Sequence, residues 1–205
     1  MAYLTGTDLG DTIYIPSAAL GFANSCFAYG GNDTVYGSSS VDQIDGGAGN
    51  DIIYGNGGND ILLGGIGNDT LYGGANDDQI FGGAGGDYLY GDAGKDTLSG
   101  GSGDDNYIHK LGTGTDFIND NLNSDGISTG VGGGLDTIYF LASNLYSYRP
   151  SSTNNLAIAT ADDLKYGVLD DGVIIENFYL KGATKFMIER LVDGFYNVFD
   201  LTILK

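Results

Sequence analysis

The chain has 205 residues and a mass of 21.3 kDa, enough for one compact domain or two small modules in contact. Lys and Arg number 8 against 27 acidic residues, so the formal net charge is −19, and this charge excludes nucleic acid as an expected partner because it repels phosphate. No run of 18 apolar residues occurs, so we expect no membrane span, and the first residues lack the pattern of an N-terminal secretory signal.

The composition argues for a folded chain despite its charge. High glycine content and high net charge are typical of disorder, but 41% of the residues are hydrophobic, and 15 are Tyr and 9 Phe. Cys26 is the only cysteine, which excludes an internal disulfide, and its position predicts a buried, small hydrophobic residue.

A nine-residue repeat fills residues 28–108 without a gap. The sixth residue of every copy is Asp, and the eighth is always apolar or aromatic. A further copy begins at Gly6, a degraded copy at 19–27 has Asn24 in place of Asp, and a trailing copy keeps Asp116 and Ile118 in phase.

The repeat has a simple physical interpretation. Its first six residues form a turn whose glycines permit positive φ, and its last three form a short strand with the eighth residue pointing inward. One such unit cannot bury its single large side chain alone, so successive units must stack. Two repeats per turn would place two short parallel sheets back to back around an aliphatic ladder.

Stacking also brings the aspartates together. Residues 18 apart would lie about 4.8 Å apart in neighbouring turns, where two carboxylates repel by about 3 kcal/mol at an effective dielectric near 20. A column of carboxylates therefore needs cations, and carboxylate and carbonyl oxygens suit Ca²⁺ better than the strictly octahedral Mg²⁺. The alternative is that these residues only form turns. A turn residue would interchange with Asn, however, which the sixth position never does within residues 28–108.

The segments GGAGNDIIY (46–54) and GGIGNDTLY (64–72) resemble the RTX calcium-binding repeat, whose motif is GGxGxDxUx. The resemblance covers residues 5–120 and implies an all-β fold, a right-handed parallel β-roll with two nonapeptide repeats per turn. It also implies that Ca²⁺ lies between loops of neighbouring turns on the same edge, with about five to eight ions in all. The ligands expected are carboxylates and loop carbonyls: Asp11, Asp33, Asp42, Asp51, Asp60, Asp69, Asp78, Asp87, Asp96, Asp105, Gly47, Gly49, Gly65, Gly67, Gly83 and Gly85. The copy GSSSVDQID (37–45) departs from the motif because it keeps only its first glycine.

The ninth residue of alternate repeats forms a row of outward tyrosines, Tyr36, Tyr54, Tyr72 and Tyr90. Such a row could bind a glycan or a second copy of the chain. Alternatively, the rings stack along the sheet or are covered by other parts of the chain.

Residues 121–205 are predicted to be a separate, mostly antiparallel β capping region after a roll at 1–120. Strand patterns begin at residues 136, 164, 172, 185 and 195, and Asp-Gly pairs at 171–172 and 193–194 are hairpin signals. The segments DTIYF, DDGVIIENF and FMIERLVDG look like the haemolysin-type domain that follows RTX repeats in many secreted proteins. The ending DLTIL is similar to the uncleaved C-terminal signal of type I secretion, which implies a secreted, extracellular protein, although Lys205 departs from that pattern.

No zinc-protease motif, P-loop or nucleophile elbow occurs in the chain. The leading hypothesis is a secreted, calcium-dependent structural or binding module. The alternative is a small calcium-stabilised enzyme with a site near Arg149 and His109 at the junction of roll and cap, although His109 is more typical of a surface or packing residue.

Overall fold

A computed structural model describes residues 3–17, 24–110 and 112–119, and the later segments 137–141, 145–148, 156–160, 172–175, 190–192 and 198–200. Within these residues the protein is all-β, and no helix is present that could cross a membrane. The roll strands are β1 (Tyr3–Thr5), β2 (Thr12–Tyr14), β3 (Asn24–Phe27), β4 (Thr34–Tyr36), β5 (Asp42–Ala48), β6 (Ile52–Gly57), β7 (Ile61–Ile66), β8 (Thr70–Ala75), β9 (Gln79–Ala84), β10 (Tyr88–Ala93), β11 (Thr97–Ser102), β12 (Asn106–Lys110) and β13 (Thr115–Ile118). The later strands are β14 (Thr137–Leu141), β15 (Leu145–Tyr148), β16 (Leu156–Thr160), β17 (Gly172–Ile175), β18 (Arg190–Val192) and β19 (Val198–Asp200).

The strands form a parallel β-solenoid of about six turns. Odd-numbered strands β1 to β13 lie side by side in the first sheet, and even-numbered strands β2 to β14 lie side by side in the second. Each strand pairs in parallel with the strand two earlier, so that Leu71 lies between Ile53 and Leu89 in register. The expected roll with two repeats per turn is confirmed.

The core is a double ladder of single inward residues, one from each strand. In the second sheet the ladder consists of Val35, Ile53, Leu71, Leu89, Tyr107 and Ile138, and in the first sheet of Cys26, Ile44, Leu62, Ile80, Leu98 and Ile118. All are essentially inaccessible to solvent. The prediction that Cys26 is a buried hydrophobic residue is confirmed, and burial raises the pKa of its thiol to about 11.

Strands after residue 120 continue both sheets of the roll. β14 pairs in parallel with β12, β17 with β13, and β18 with β14. Antiparallel pairing occurs farther out, where β16 pairs with β17, β15 with β16, and β19 with β18. These segments therefore extend the sheets past the last repeat; the boundary at 120 and the identity of a capping domain remain predictions.

We expect Leu62→Ala to lower the free energy of unfolding of the calcium-loaded protein by about 3 kcal/mol, because its side chain is fully buried between Ile44 and Ile80. Denaturant unfolding at saturating calcium measures the loss. The matched control is Ile66→Ala, whose side chain is 67% exposed and should have little effect. Similar losses in the two variants would contradict the ladder.

Candidate functional site: the aspartate columns

The loops between strands hold their Asp side chains inside the turn. In the regular loops the Asp side chain lies against the first glycine of its own repeat: a Cβ atom at Gly64 would overlap Asp69 Oδ2, and one at Gly82 would overlap Asp87 Oδ2. Asp69 and Asp87 are fully buried despite their charge. The first glycine of the motif is therefore required because the carboxylate occupies the space that a side chain would need.

The aspartates form two columns, one along each edge of the roll. One column contains Asp11, Asp33, Asp51, Asp69, Asp87 and Asp105, and the other contains Asn24, Asp42, Asp60, Asp78, Asp96 and Asp116. Within a column, Oδ1 of Asp33, Asp51, Asp60, Asp69, Asp78, Asp87, Asp96 and Asp105 accepts a hydrogen bond from the backbone N–H of the Asp one turn earlier. The Asp51 amide donates to Asp69 Oδ1 at 2.8 Å, for example, and the Asp60 amide to Asp78 Oδ1 at 2.7 Å.

The second carboxylate oxygen has no donor in most of these loops. Oδ2 is buried without a hydrogen-bond partner in Asp33, Asp51, Asp60, Asp69, Asp78, Asp87 and Asp96. A buried ionised oxygen without a partner is strongly unfavourable, because the solvation it loses is not replaced. These oxygens therefore require a cation or a proton.

The pKa values of the loop aspartates reflect this requirement. Burial raises the pKa of Asp60 and of Asp96 to about 8 and that of Asp78 and of Asp87 to about 7. Neighbouring carboxylates in the same column add to the increase, and the amide donors only partly oppose it.

Backbone carbonyls also lie between successive turns of the roll. A Cβ atom at Gly65 would overlap the carbonyl oxygen of Gly47, and one at Gly67 would overlap that of Gly49. The carbonyl oxygens of the second and fourth loop residues thus point along the column towards the next turn, where positive φ values at Gly65 and Gly67 accommodate them.

This donor set fits a hard divalent cation. Among the described residues no three His, Cys, Asp or Glu side chains converge into a metal cage. Each regular loop instead offers one buried, partnerless carboxylate oxygen together with nearby carbonyls, an all-oxygen environment of the kind that Ca²⁺ uses.

Two of the expected ligands are arranged differently. Asp42 accepts hydrogen bonds at both oxygens, Oδ1 from Asn24 Nδ2 and Oδ2 from the Ser38 amide, each at 2.6 Å. Asp11 Oδ2 accepts from the Thr7 amide at 2.7 Å.

The fifth residue of the repeat carries a structural role that the sequence analysis missed. Asn32 Oδ1 accepts from the Asn50 amide, Asn50 Oδ1 from the Asn68 amide, and Asn68 Oδ1 from the Gly86 amide, at 2.8–2.9 Å. This Asn ladder ties the outer part of neighbouring loops together. The signal was present in the sequence, since Asn precedes the motif Asp in several repeats.

The comparison with protein families agrees with this geometry. The family model of the RTX calcium-binding nonapeptide repeat matches four times, at residues 27–62, 36–71, 54–89 and 72–107. Residues 27–107 are RTX calcium-binding repeats. No curated protein matches the chain. RTX repeats bind calcium, and this match therefore supports calcium as the ion expected from the aspartate columns. The number of ions remains a prediction.

The tyrosine row is a continuous stack. It includes Tyr14 as well as the four expected residues, with ring centroids 4.5–5.0 Å apart and interplanar angles of 3–22°. The rings of Tyr36, Tyr54, Tyr72 and Tyr90 are half-buried, and Tyr14 at the end is 68% exposed.

The residues of the enzyme hypothesis are not seen together. Arg149 lies outside the described residues, and His109 is 2% exposed, with Nδ1 2.7 Å from Asp116 Oδ2. His109 lies in β12, where it pairs in register with Phe140 of β14. Of the two roles expected for His109, surface or packing, its burial fits packing.

We expect the calcium-free fold to be stabilised by acid. The folded-state pKa of the buried aspartates lies above the ordinary value of 3.8, so protonation favours the fold. This contribution is complete below about pH 4 and is lost as the pH rises through 6 to 8.

Circular dichroism of calcium-depleted protein should therefore show more sheet near pH 5 than near pH 8. Calcium binding to the acid-stabilised fold near pH 5 should release protons, measurable by calorimetry in buffers of different ionisation enthalpy. Calcium uptake by that folded form without proton release would contradict the prediction.

Proposed function

We propose that this protein is a secreted module whose fold is assembled by calcium and which acts as a structural or binding protein. The observation that supports this proposal is the set of buried Asp Oδ2 atoms without a partner, repeated turn after turn. Such columns are incompatible with a stable neutral-pH fold unless cations lie between the turns. The carboxylates supply charge, and the carbonyls of the second and fourth loop residues complete the oxygen shell.

Calcium binding and folding are coupled in this arrangement. The oxygens come from neighbouring turns, so the sites form only when the turns stack. The binding free energy therefore becomes folding free energy. An extracellular location provides the millimolar calcium that modules of modest affinity need, and RTX repeat proteins are typically secreted. Export through a C-terminal type I signal remains part of the proposal, since residues 201–205 lie outside the described residues.

The geometry of the tyrosine row limits what it could bind. A sugar ring stacks on an exposed aromatic face, but here each ring face lies against the next ring. A partner would meet ring edges and hydroxyls over most of the row, which favours a second copy of the chain over a glycan. The stack itself adds attraction between turns, so we propose cohesion of the roll as its first role and self-association as its second.

Folding should depend on calcium. At neutral pH the calcium-depleted protein should be largely disordered and should acquire its sheet signal over roughly 0.1 to 1 mM calcium. Circular dichroism in EGTA, followed by calcium titration, measures this. A complete sheet signal in EGTA at neutral pH would contradict the proposal.

Aspartates in the interior of the roll should contribute more to calcium binding than Asn24, which stands where the repeat has Asp. Asp69→Ala removes a buried carboxylate that also accepts the Asp51 amide, so it should reduce both the number of bound ions and the cooperativity of the titration. Asn24→Ala should do neither, although it removes the donor to Asp42. Equal effects in a calcium titration would contradict the assigned register.

Two sets of substitutions distinguish the two roles proposed for the tyrosine row. Changing Tyr54 and Tyr72 to Ser removes three of the stacked contacts and should lower the stability of the calcium-loaded fold by about 2–4 kcal/mol. Changing the same residues to Phe keeps the stack but removes the hydroxyls. It should preserve stability and weaken self-association in sedimentation velocity. An unaltered stability of the Ser variant would show that the stack contributes no cohesion.

A further inference from the structure

Two loops of the roll, residues 6–11 and 37–42, close by hydrogen bonds of their own. In both, the second residue carries a hydroxyl group, Thr7 in one and Ser38 in the other. The backbone N–H of that residue donates to Oδ2 of the loop Asp, at 2.7 Å to Asp11 and at 2.6 Å to Asp42. The oxygen that lacks a partner in the regular loops is therefore satisfied by the protein in these two.

The hydroxyl group completes the same pattern in both loops. Thr7 Oγ1 accepts from the Leu9 amide at 3.2 Å, and Ser38 Oγ accepts from the Ser40 amide at 3.1 Å. Thr7 Oγ1 also donates to Asp11 Oδ2 at 2.9 Å. In both loops the carboxylate, the hydroxyl group and backbone amides are thus held by hydrogen bonds within the loop.

Backbone conformation separates the two kinds of loop. Where Oδ2 lacks a partner, the second loop residue is left-handed even when it is not glycine, as at Tyr29 (φ 72°), Asn56 (φ 71°) and Asp92 (φ 62°). Thr7 and Ser38 do not have positive φ. Loops in which Asp Oδ2 lacks a partner thus have a second residue with positive φ. In the two loops in which Oδ2 has a donor, the second residue carries a hydroxyl group and its φ is not positive.

We propose that the loops at 6–11 and 37–42 are calcium-free turns, in which Thr7 and Ser38 take the place of the ion, so that Asp11 and Asp42 are not calcium ligands. This inference rests on the proposed calcium-dependent fold. It restricts calcium binding to the loops whose second residue is left-handed. At Asp42 both oxygens already accept short hydrogen bonds, so an ion there would have to displace donors from Asn24 and Ser38. These two turns can close before calcium is present.

The experiment counts calcium ions bound to the full chain, by equilibrium dialysis followed by atomic emission. Two matched pairs are compared with wild type: Asp42→Asn with Asp60→Asn, neighbours in one column, and Asp11→Asn with Asp33→Asn, neighbours in the other. Asp42→Asn and Asp11→Asn should bind as many ions as wild type. Asp60→Asn and Asp33→Asn should each bind at least one ion fewer.

Thermal unfolding at low and at saturating calcium gives a second measurement. Loss of the Ser38 hydrogen bond should lower the Tm of Asp42→Asn equally under both conditions, whereas the deficit of Asp60→Asn should depend on calcium. A reduced ion count in Asp42→Asn or Asp11→Asn would overturn the inference while leaving the proposed function intact. Failure of wild type to take up calcium would overturn the proposed function itself. Asp11 lies near the end of the roll and is only half-buried, so its variant keeps the test decisive if Asp42→Asn fails to fold.

Discussion

Buried carboxylates, stacked in two columns, set the requirements that the other parts of the roll must meet. Each turn of the roll buries only two large inward residues, such as Leu62 and Leu71, which is little apolar area for the backbone that must be ordered. The remaining cohesion has to come from the loops. There, Oδ1 of each regular Asp ties its turn to the amide of the turn before, and Oδ2 is left buried for a cation. The same residue thus fixes the register of the stack and makes it dependent on an ion.

The glycine pattern follows from the position of that carboxylate. The first glycine leaves room for Oδ2, and those at the second and fourth positions allow carbonyl oxygens to point along the column. Side-chain ladders then reinforce the stack outside the metal sites, through the Asn ladder of the loops and the tyrosine row on the second sheet. These ladders join neighbouring turns without requiring an ion, so they add stability but do not remove the charge.

The two hydroxyl-containing loops show a second way to satisfy the same oxygen. A backbone N–H neutralises none of the charge but replaces lost solvation by a short hydrogen bond. In the partly exposed loop at Asp11 this is inexpensive, because water still screens the carboxylate. At Asp42 the Asn24 amide supplies a further donor in place of a second carboxylate. At the other end of that column, His109 Nδ1 lies 2.7 Å from Asp116 Oδ2, so a protein group also accompanies this carboxylate.

The period of nine, the inward ladder and the stacking of the aspartates follow from the sequence, because a short unit with one inward residue can only stack. The turn of two repeats follows from the resemblance to the RTX repeat. The sequence also predicted strands near 137–141, 172–175, 190–192 and 198–200, since these carry alternating apolar patterns. It did not determine that β14, β17 and β18 would continue the roll in parallel, because strand pairing depends on which edge is available after the last repeat. Nor did it show that Tyr54 and Tyr72 stack face to face, or that Oδ2 of Asp42 has a donor where that of Asp60 has none. Those differences depend on ring orientation and on the sign of one φ angle, which only the packed turns decide.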